Sequence, residues 1–439
     1  MNRFEVPTNC RCWLLSCVLV SILSVAGCDA PIASFEPNGL YLKRMELVEG
    51  VELPRAEADV QAVLTELFGT PDEPKWPEML QAEPAYSELV LPERLQRAAG
   101  PVRSDEDDVH YGLYREHCVY CHGVTGDGLG PTSRFLNPYP RDFRMGKVKF
   151  KSTPLGKKPT RSDLWRTLHE GVSGTSMPSF RLLEQEDLEA LLDYLIYLSI
   201  RGEVERKLID EAAFELDFEA GERLYDPALK VTDPAAFDSQ WEVIQGCVVD
   251  VADSWLEAND EAVVVEGPPD DYPLWGRDNN GTSQMQQRLA DSVAHGRELY
   301  HGKIANCATC HGATAVGDGQ LGDYDEWTKE WTTSVGIDPQ KPDDLAPMLK
   351  LGGLKPRHAL PRNLRTGVYR GGSRPIDLYL RIVYGIDGTP MPAAAMQPAN
   401  PQGMTEGDVW DLVNYILSLP YEPLSQAAFD SSPPEQPPL

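Results

Sequence analysis

Apolar residues recur at helical spacing in several separate stretches of the chain. In "RAEADVQAVLTELFG" the side chains of Val60, Val63, Leu64, Leu67 and Phe68 share one face, which predicts an amphipathic helix near the start of the chain. Asp107 to His117 has a shorter pattern of the same kind, and Leu164, Trp165 and Leu168 mark another. Leu188, Leu191, Leu192, Leu195 and Leu198 form a strong stripe with period 3.6. "TEGDVWDLVNYILSL" repeats such a stripe near the other end and opens on Thr405 and Asp408, spaced like a capping box with Asp in place of Glu. The 37 prolines and 36 glycines predict many turns and long connections rather than a regular sheet. The expected fold class is mainly α.

The patterning also repeats on a larger scale. "DLWRTLHEGVSGTSMP" (163–178) aligns without a gap to "DLYLRIVYGIDGTPMP" (377–392) and matches it at seven of sixteen positions. "PRDFRMG" (140–146) answers "PRNLRTG" (361–367), and each copy closes with an apolar helix. The expected organisation is a targeting segment over 1–27 and an acidic, proline-punctuated segment with one helix over 28–100. Two related domains follow at 101–202 and 291–422, joined by an acidic, partly helical insertion at 203–290. The tail, 423–439, reads as disordered.

Forty Lys and Arg against 68 Asp and Glu give a net charge of −28. That balance argues against nucleic acid as a partner, because affinity there comes from neutralising phosphates. It favours a basic docking partner, or serves solubility. Residues 141–166 reverse the trend with nine basic side chains against two acidic, as a docking face or a solvated loop would. At the N-terminus, Arg3 and Arg11 precede the apolar run Trp13 to Gly27, which is shorter than the ~20 residues of a spanning helix. It fits a secretory signal, and Val25-Ala26-Gly27-Cys28 resembles a bacterial lipobox with Cys28 as the lipidated first residue of the mature protein. The expected location is the exported face of a membrane, in the periplasm or an equivalent compartment.

Four of the nine cysteines lie in two copies of one motif, "CVYCHG" at 118–123 and "CATCHG" at 307–312. A structural zinc site wants two close pairs, but these pairs start 189 residues apart, each with its own copy of the surrounding repeat. A thioredoxin-like redox pair would need a βαβ setting, which neither has. Cys-x-x-Cys-His is the attachment pattern of haem c: Cys118 and Cys121, and Cys307 and Cys310, would bond two porphyrins, with His122 and His311 facing the irons. Met177 and Met391 lie 55 and 80 residues after those histidines, in the Gly/Pro loops "GTSMP" and "GTPMP". A thioether there suits the sixth iron position. Arg141 and Arg362, in the two "PR" motifs, have the fork geometry for propionates, although ordinary ion pairs would use them as well. His117, His169 and His358 lack a repeat context, and Cys247 reads as a small buried apolar side chain, with an intermolecular disulfide as the rival reading.

On these motifs the chain resembles the class I c-type cytochromes, in a di-haem, lipid-anchored arrangement like the cytochrome subunits of bacterial respiratory chains. The resemblance covers roughly 105–200 and 291–420. It implies helices wrapped around each haem, with the first and last crossing near Leu113-Tyr114 and Tyr194, and near Leu299-Tyr300 and Tyr415. It also implies a proline carbonyl that accepts the proximal histidine's N–H. Pro131 fits that role in the first domain, and the second has no proline there. The second domain carries an extra stretch, 325–353, most of it expected as a surface loop, whose two tryptophans would cover the haem or form a contact. The function implied is single-electron transfer by two His/Met-ligated haems between a quinol-oxidising complex or dehydrogenase and a terminal oxidase. The alternative is a di-haem enzyme of peroxidase or thiosulfate-oxidising type with one haem open or differently ligated.

Overall fold

The computed structural model describes residues 33–423 apart from 51, 54, 219 and 278–281. The expected signal segment, Cys28 and the tail beyond 423 lie outside the described residues. The described residues from Phe35 onward form one compact unit. Among the described residues it is helical, with one two-stranded hairpin pairing Arg103–Ser104 with His110–Tyr111. That hairpin occupies the first part of the stretch whose pattern predicts a helix from Asp107. Gly112, at φ +80°, separates it from the helical turn that follows.

The helices that matter are α1 (Gly39–Glu49), α2 (Ala56–Phe68), α3 (Pro92–Ala98), α4 (Leu113–His117), α5 (Val119–His122), α6 (Arg161–Glu170) and α7 (Gln185–Glu215). They are followed by α8 (Pro234–Leu256), α9 (Ser283–His301), α10 (Cys307–His311), α11 (Pro342–Lys350), α12 (Pro375–Tyr384) and α13 (Glu406–Ser418). The apolar stripe of α7 is the axis of the first core, and α2 lays Val60, Val63, Leu64 and Phe68 against it. Tyr197 on α7 donates its hydroxyl to the Phe68 carbonyl at 2.5 Å, satisfying a polar atom that the contact buries.

Helix α7 runs through the boundary expected at 202. Val204, Leu208, Ile209 and Ala212 continue its buried face for three more turns, although the acidic composition there suggests a spacer. The insertion is not separate from the domain. Helix α8 turns Ile244, Cys247, Val248, Val251 and Trp255 into the same core, and the Trp255 indole donates to Glu203 at 2.8 Å. Cys247 is therefore a buried apolar filler, with burial pushing its thiol up to about 11.

The second core is built where α9 crosses α13, with the Tyr300 and Tyr415 rings 5.4 Å apart. The matching pair in the first domain, Tyr114 and Tyr194, lies at 4.9 Å. The crossing in the second domain closes on Gly296, where an added Cβ would lie 2.1 Å from the Asp411 carbonyl. Gly296→Ala is expected to force the two helices apart and destabilise this domain by about 1–3 kcal/mol, read as a lower midpoint in denaturant.

The two haem-box domains pack on each other through charged pairs. Lys147 meets Glu326, Lys151 meets Asp387, and Arg166 meets Asp377. Within the first half of the chain, Lys158 pairs with Glu203, and Arg161 with Glu189 and Asp193. The basic stretch 141–166 is thus largely consumed inside the molecule rather than displayed as a docking face.

Candidate haem sites

Helix α5 and helix α10 are single turns, so a cysteine pair with two residues between places both thiols on one side of the turn and the histidine directly after them. In each domain the turn is held by a tyrosine from the preceding helix. Tyr114 donates to the Gly123 carbonyl and Tyr300 to the Gly312 carbonyl, both at 2.9 Å. Burial pushes the Cys118 thiol up to about 12 and the Cys307 thiol up to about 11. A redox-active pair would need the opposite shift.

The histidines are oriented identically. His122 Nδ1 lies 3.0 Å from the Arg141 carbonyl, and His311 Nδ1 lies 3.0 Å from the Arg362 carbonyl. A carbonyl can only accept, so Nδ1 carries the proton and Nε2 is left with its lone pair. Burial lowers both imidazoles, His122 to about 4, which keeps them neutral and able to ligate. The acceptor is not Pro131, which is exposed. It is the backbone of the "PR" motif, and that explains how the second domain manages without a proline after its box.

The two methionine loops are also copies of one another. Val172 donates its N–H to the Met177 carbonyl at 3.1 Å, and Ile386 donates to that of Met391 at 3.2 Å. Thr175 and Thr389 accept from the methionine N–H at 3.1 and 3.2 Å, and each donates its hydroxyl back into the loop at 2.8 Å. Each loop is thereby closed on itself, with its methionine half-buried. Met177 and Cys118 pack against the same core.

Residues 108–195 match the family model of cytochrome c oxidase, cbb3-type, subunit III, and residues 293–420 match the family model of cytochrome c. The chain is a multihaem c-type cytochrome. Its two domains carry two covalently bound haem c groups. The cytochrome is also similar to a solved reducing HAO-like protein complex of Kuenenia stuttgartiensis, at 23% identity and a TM-score of 0.40, over 70% of this chain and 94% of that one. No curated protein sequence matches it.

A haem also brings propionates, and the seam between the domains has the groups to meet them. Arg141 and Lys149 from the first domain, and Arg362 and Arg370 from the second, occupy equivalent positions in the two repeats. Burial lowers Arg141 to about 10 and Lys149 to about 7, and it lowers Arg370 as well, with Arg362 beside it adding to the effect. The Nε atoms of Arg362 and Arg370 are buried and find no acceptor among the described residues. Such orphaned donors fit carboxylates supplied by the cofactors. Arg370 went unnoticed in the sequence, and Lys149 counted only as part of the basic stretch, although the "PR" alignment carried eight residues further would have paired them.

The three other histidines weighed in the sequence have aromatic neighbours. His169 stacks on Trp165 at 4.5 Å, His117 lies 5.8 Å from Phe180, and His358 lies 4.6 Å from Tyr324.

Proposed function

We propose that this cytochrome is an electron carrier whose two haems are both closed to outside ligands. Cys118 and Cys121, and Cys307 and Cys310, hold the two porphyrins through thioethers. His122 with Met177, and His311 with Met391, would hold the two irons. Each bound haem supplies one iron that changes its charge by a single electron, and His/Met ligation sets its potential high. The protein keeps each imidazole neutral and aimed, closes each methionine loop, and excludes water from the iron. The observation that carries this reading is the duplication itself, with the same imidazole–carbonyl bond and the same threonine-closed methionine loop in both domains. An enzyme would need one of the two to differ.

The partners that fit are a quinol-oxidising complex or dehydrogenase as donor and a terminal oxidase as acceptor, met on the exported side of a membrane. Cys28 would carry the lipid that holds the protein there. No helix among the described residues is long and apolar enough to cross a membrane.

The test is the optical spectrum of the purified, matured protein in both oxidation states, with haem stoichiometry and exposure of the ferrous form to carbon monoxide. The expected result is two haems per chain, a ferric methionine-to-iron charge-transfer band and no carbon monoxide complex. Ready binding of carbon monoxide by one haem would overturn the closed-carrier reading in favour of a di-haem enzyme.

A further inference from the structure

The tryptophan-bearing stretch of the second domain, 325–353, carries Trp327 and Trp331. Trp327 reaches across the seam. One face of its indole takes the Arg141 guanidinium at 3.6 Å, with the Lys149 ammonium at 5.3 Å. Its N–H points at the Asp142 carbonyl, 3.4 Å away. Arg141 is the residue whose own carbonyl orients His122. The ring also presses on Gly388 in the Met391 loop, where an added Cβ would fall 1.9 Å from Cζ3. The backbone of that loop is tied to the same stretch, because Glu326 N donates to the Gly388 carbonyl at 3.1 Å. Trp327 is therefore wedged between the support of one proximal histidine and the loop of the other domain's methionine.

The opposite arrangement recurs at the other corner of the seam. Gly174 in the Met177 loop lies against Arg362, with an added Cβ 2.8 Å from its Nη2. Arg362 is the residue whose carbonyl orients His311. Each methionine loop is thus backed by the "PR" segment of the opposite domain, directly in one case and through Trp327 in the other.

We propose that Trp327 is a cross-domain positioning residue that braces the ligands of both irons, His122 through the Arg141–Asp142 backbone and Met391 through Gly388. The potential of a haem responds to how its axial ligands are held and hydrogen-bonded and to how dry the site is. A wedge shared by two sites then makes their potentials depend on one side chain. The inference rests on the ligand assignment given under Proposed function.

The experiment is potentiometric titration of the holoprotein carrying Trp327→Leu, with Trp327→Phe and Trp331→Leu beside it. The two redox steps are assigned from a Met391→His variant, which moves the step of the second haem. Trp331 is buried in a separate cluster with Leu345 and Met348, so its loss loosens the same region without touching Arg141. Trp327→Leu is expected to shift both midpoints and weaken the charge-transfer band of Met391. Trp327→Phe, which keeps a ring and loses the N–H, should restore the band and most of the shift. Trp331→Leu should leave both midpoints in place. A shift confined to the second haem, or none, would overturn the cross-domain brace. A wild-type protein without the charge-transfer band would instead refute the ligand assignment, so the two failures are distinguishable.

Discussion

Replacing Cys307 and Cys310 together by serine is expected to give a chain with one haem and a second domain that no longer holds its fold. The second core depends on a short list of side chains where α9 meets α13, and Cys307 and Ala308 of the box pack directly against it. On the proposed assignment, His311, Met391 and the two buried arginine Nε atoms would lose the group that they meet. When a cofactor binds only the folded form, its binding free energy is part of the folding free energy. The matching change, Cys118 and Cys121 to serine, should be better tolerated. The first core continues past the haem domain into α2 and α8, so much of it survives without the cofactor. Haem stoichiometry with limited proteolysis checks both halves of the expectation. Cleavage should concentrate between 283 and 420 in the first variant. Equal sensitivity of the two domains would show that the larger core gives no protection.

Much of this was legible in the residues themselves. The haem boxes, the methionine loops, the helix at 56–68 and the Thr405–Asp408 cap are signalled by residue type at fixed spacing, and the cap forms in both directions. The tyrosines expected at the helix crossings are there. The acceptor for the histidine N–H was misplaced on Pro131 because a backbone carbonyl has no residue signature; Arg141 and Arg362 drew notice for their side chains, while their carbonyls orient the imidazoles. The extension of α7 was hidden by charge. Glu203 and Glu205 look solvated in sequence, yet both are inside, where Lys158 and Trp255 hold the first and Asn38 and Gln61 donate to the second. The basic stretch was misjudged for a related reason. Its partners Glu326, Asp377 and Asp387 lie some two hundred positions away, and no local pattern announces a pair that only tertiary packing makes.

Asp377→Ala should be the most damaging single change at the seam. The carboxylate stands in the first turn of α12 and closes its capping box, taking the N–H of the N-cap residue Arg374 at 3.1 Å and its guanidinium at 3.0 and 2.8 Å. It is also the partner of Arg166 from the other domain, with a side chain only 2% exposed. Its counterpart in the first repeat, Asp163, caps α6 and holds the Ser152 N–H and hydroxyl, all within its own domain. Breaking a buried pair by removing one member leaves the other charge uncompensated, which costs about 3–5 kcal/mol. Asp377→Asn keeps an acceptor for the cap and loses the charge, so it should fall between the wild type and the alanine variant. The pH dependence has a definite sign. Burial alone would raise the Asp377 carboxyl, but the Arg374 hydrogen bonds and the nearby Arg166 charge outweigh it and hold the group below its usual value. A depressed carboxyl contributes stability above its unfolded pKa, and that contribution disappears as pH falls through the lower folded value. Thermal midpoints of the wild type should therefore decline through that acidic window more steeply than those of Asp377→Asn. If the asparagine variant declined in parallel, the carboxylate would not be the group that the acid removes. A double-mutant cycle with Arg166→Gln then separates the link between domains from the helix cap, because only the former vanishes when Arg166 is already gone.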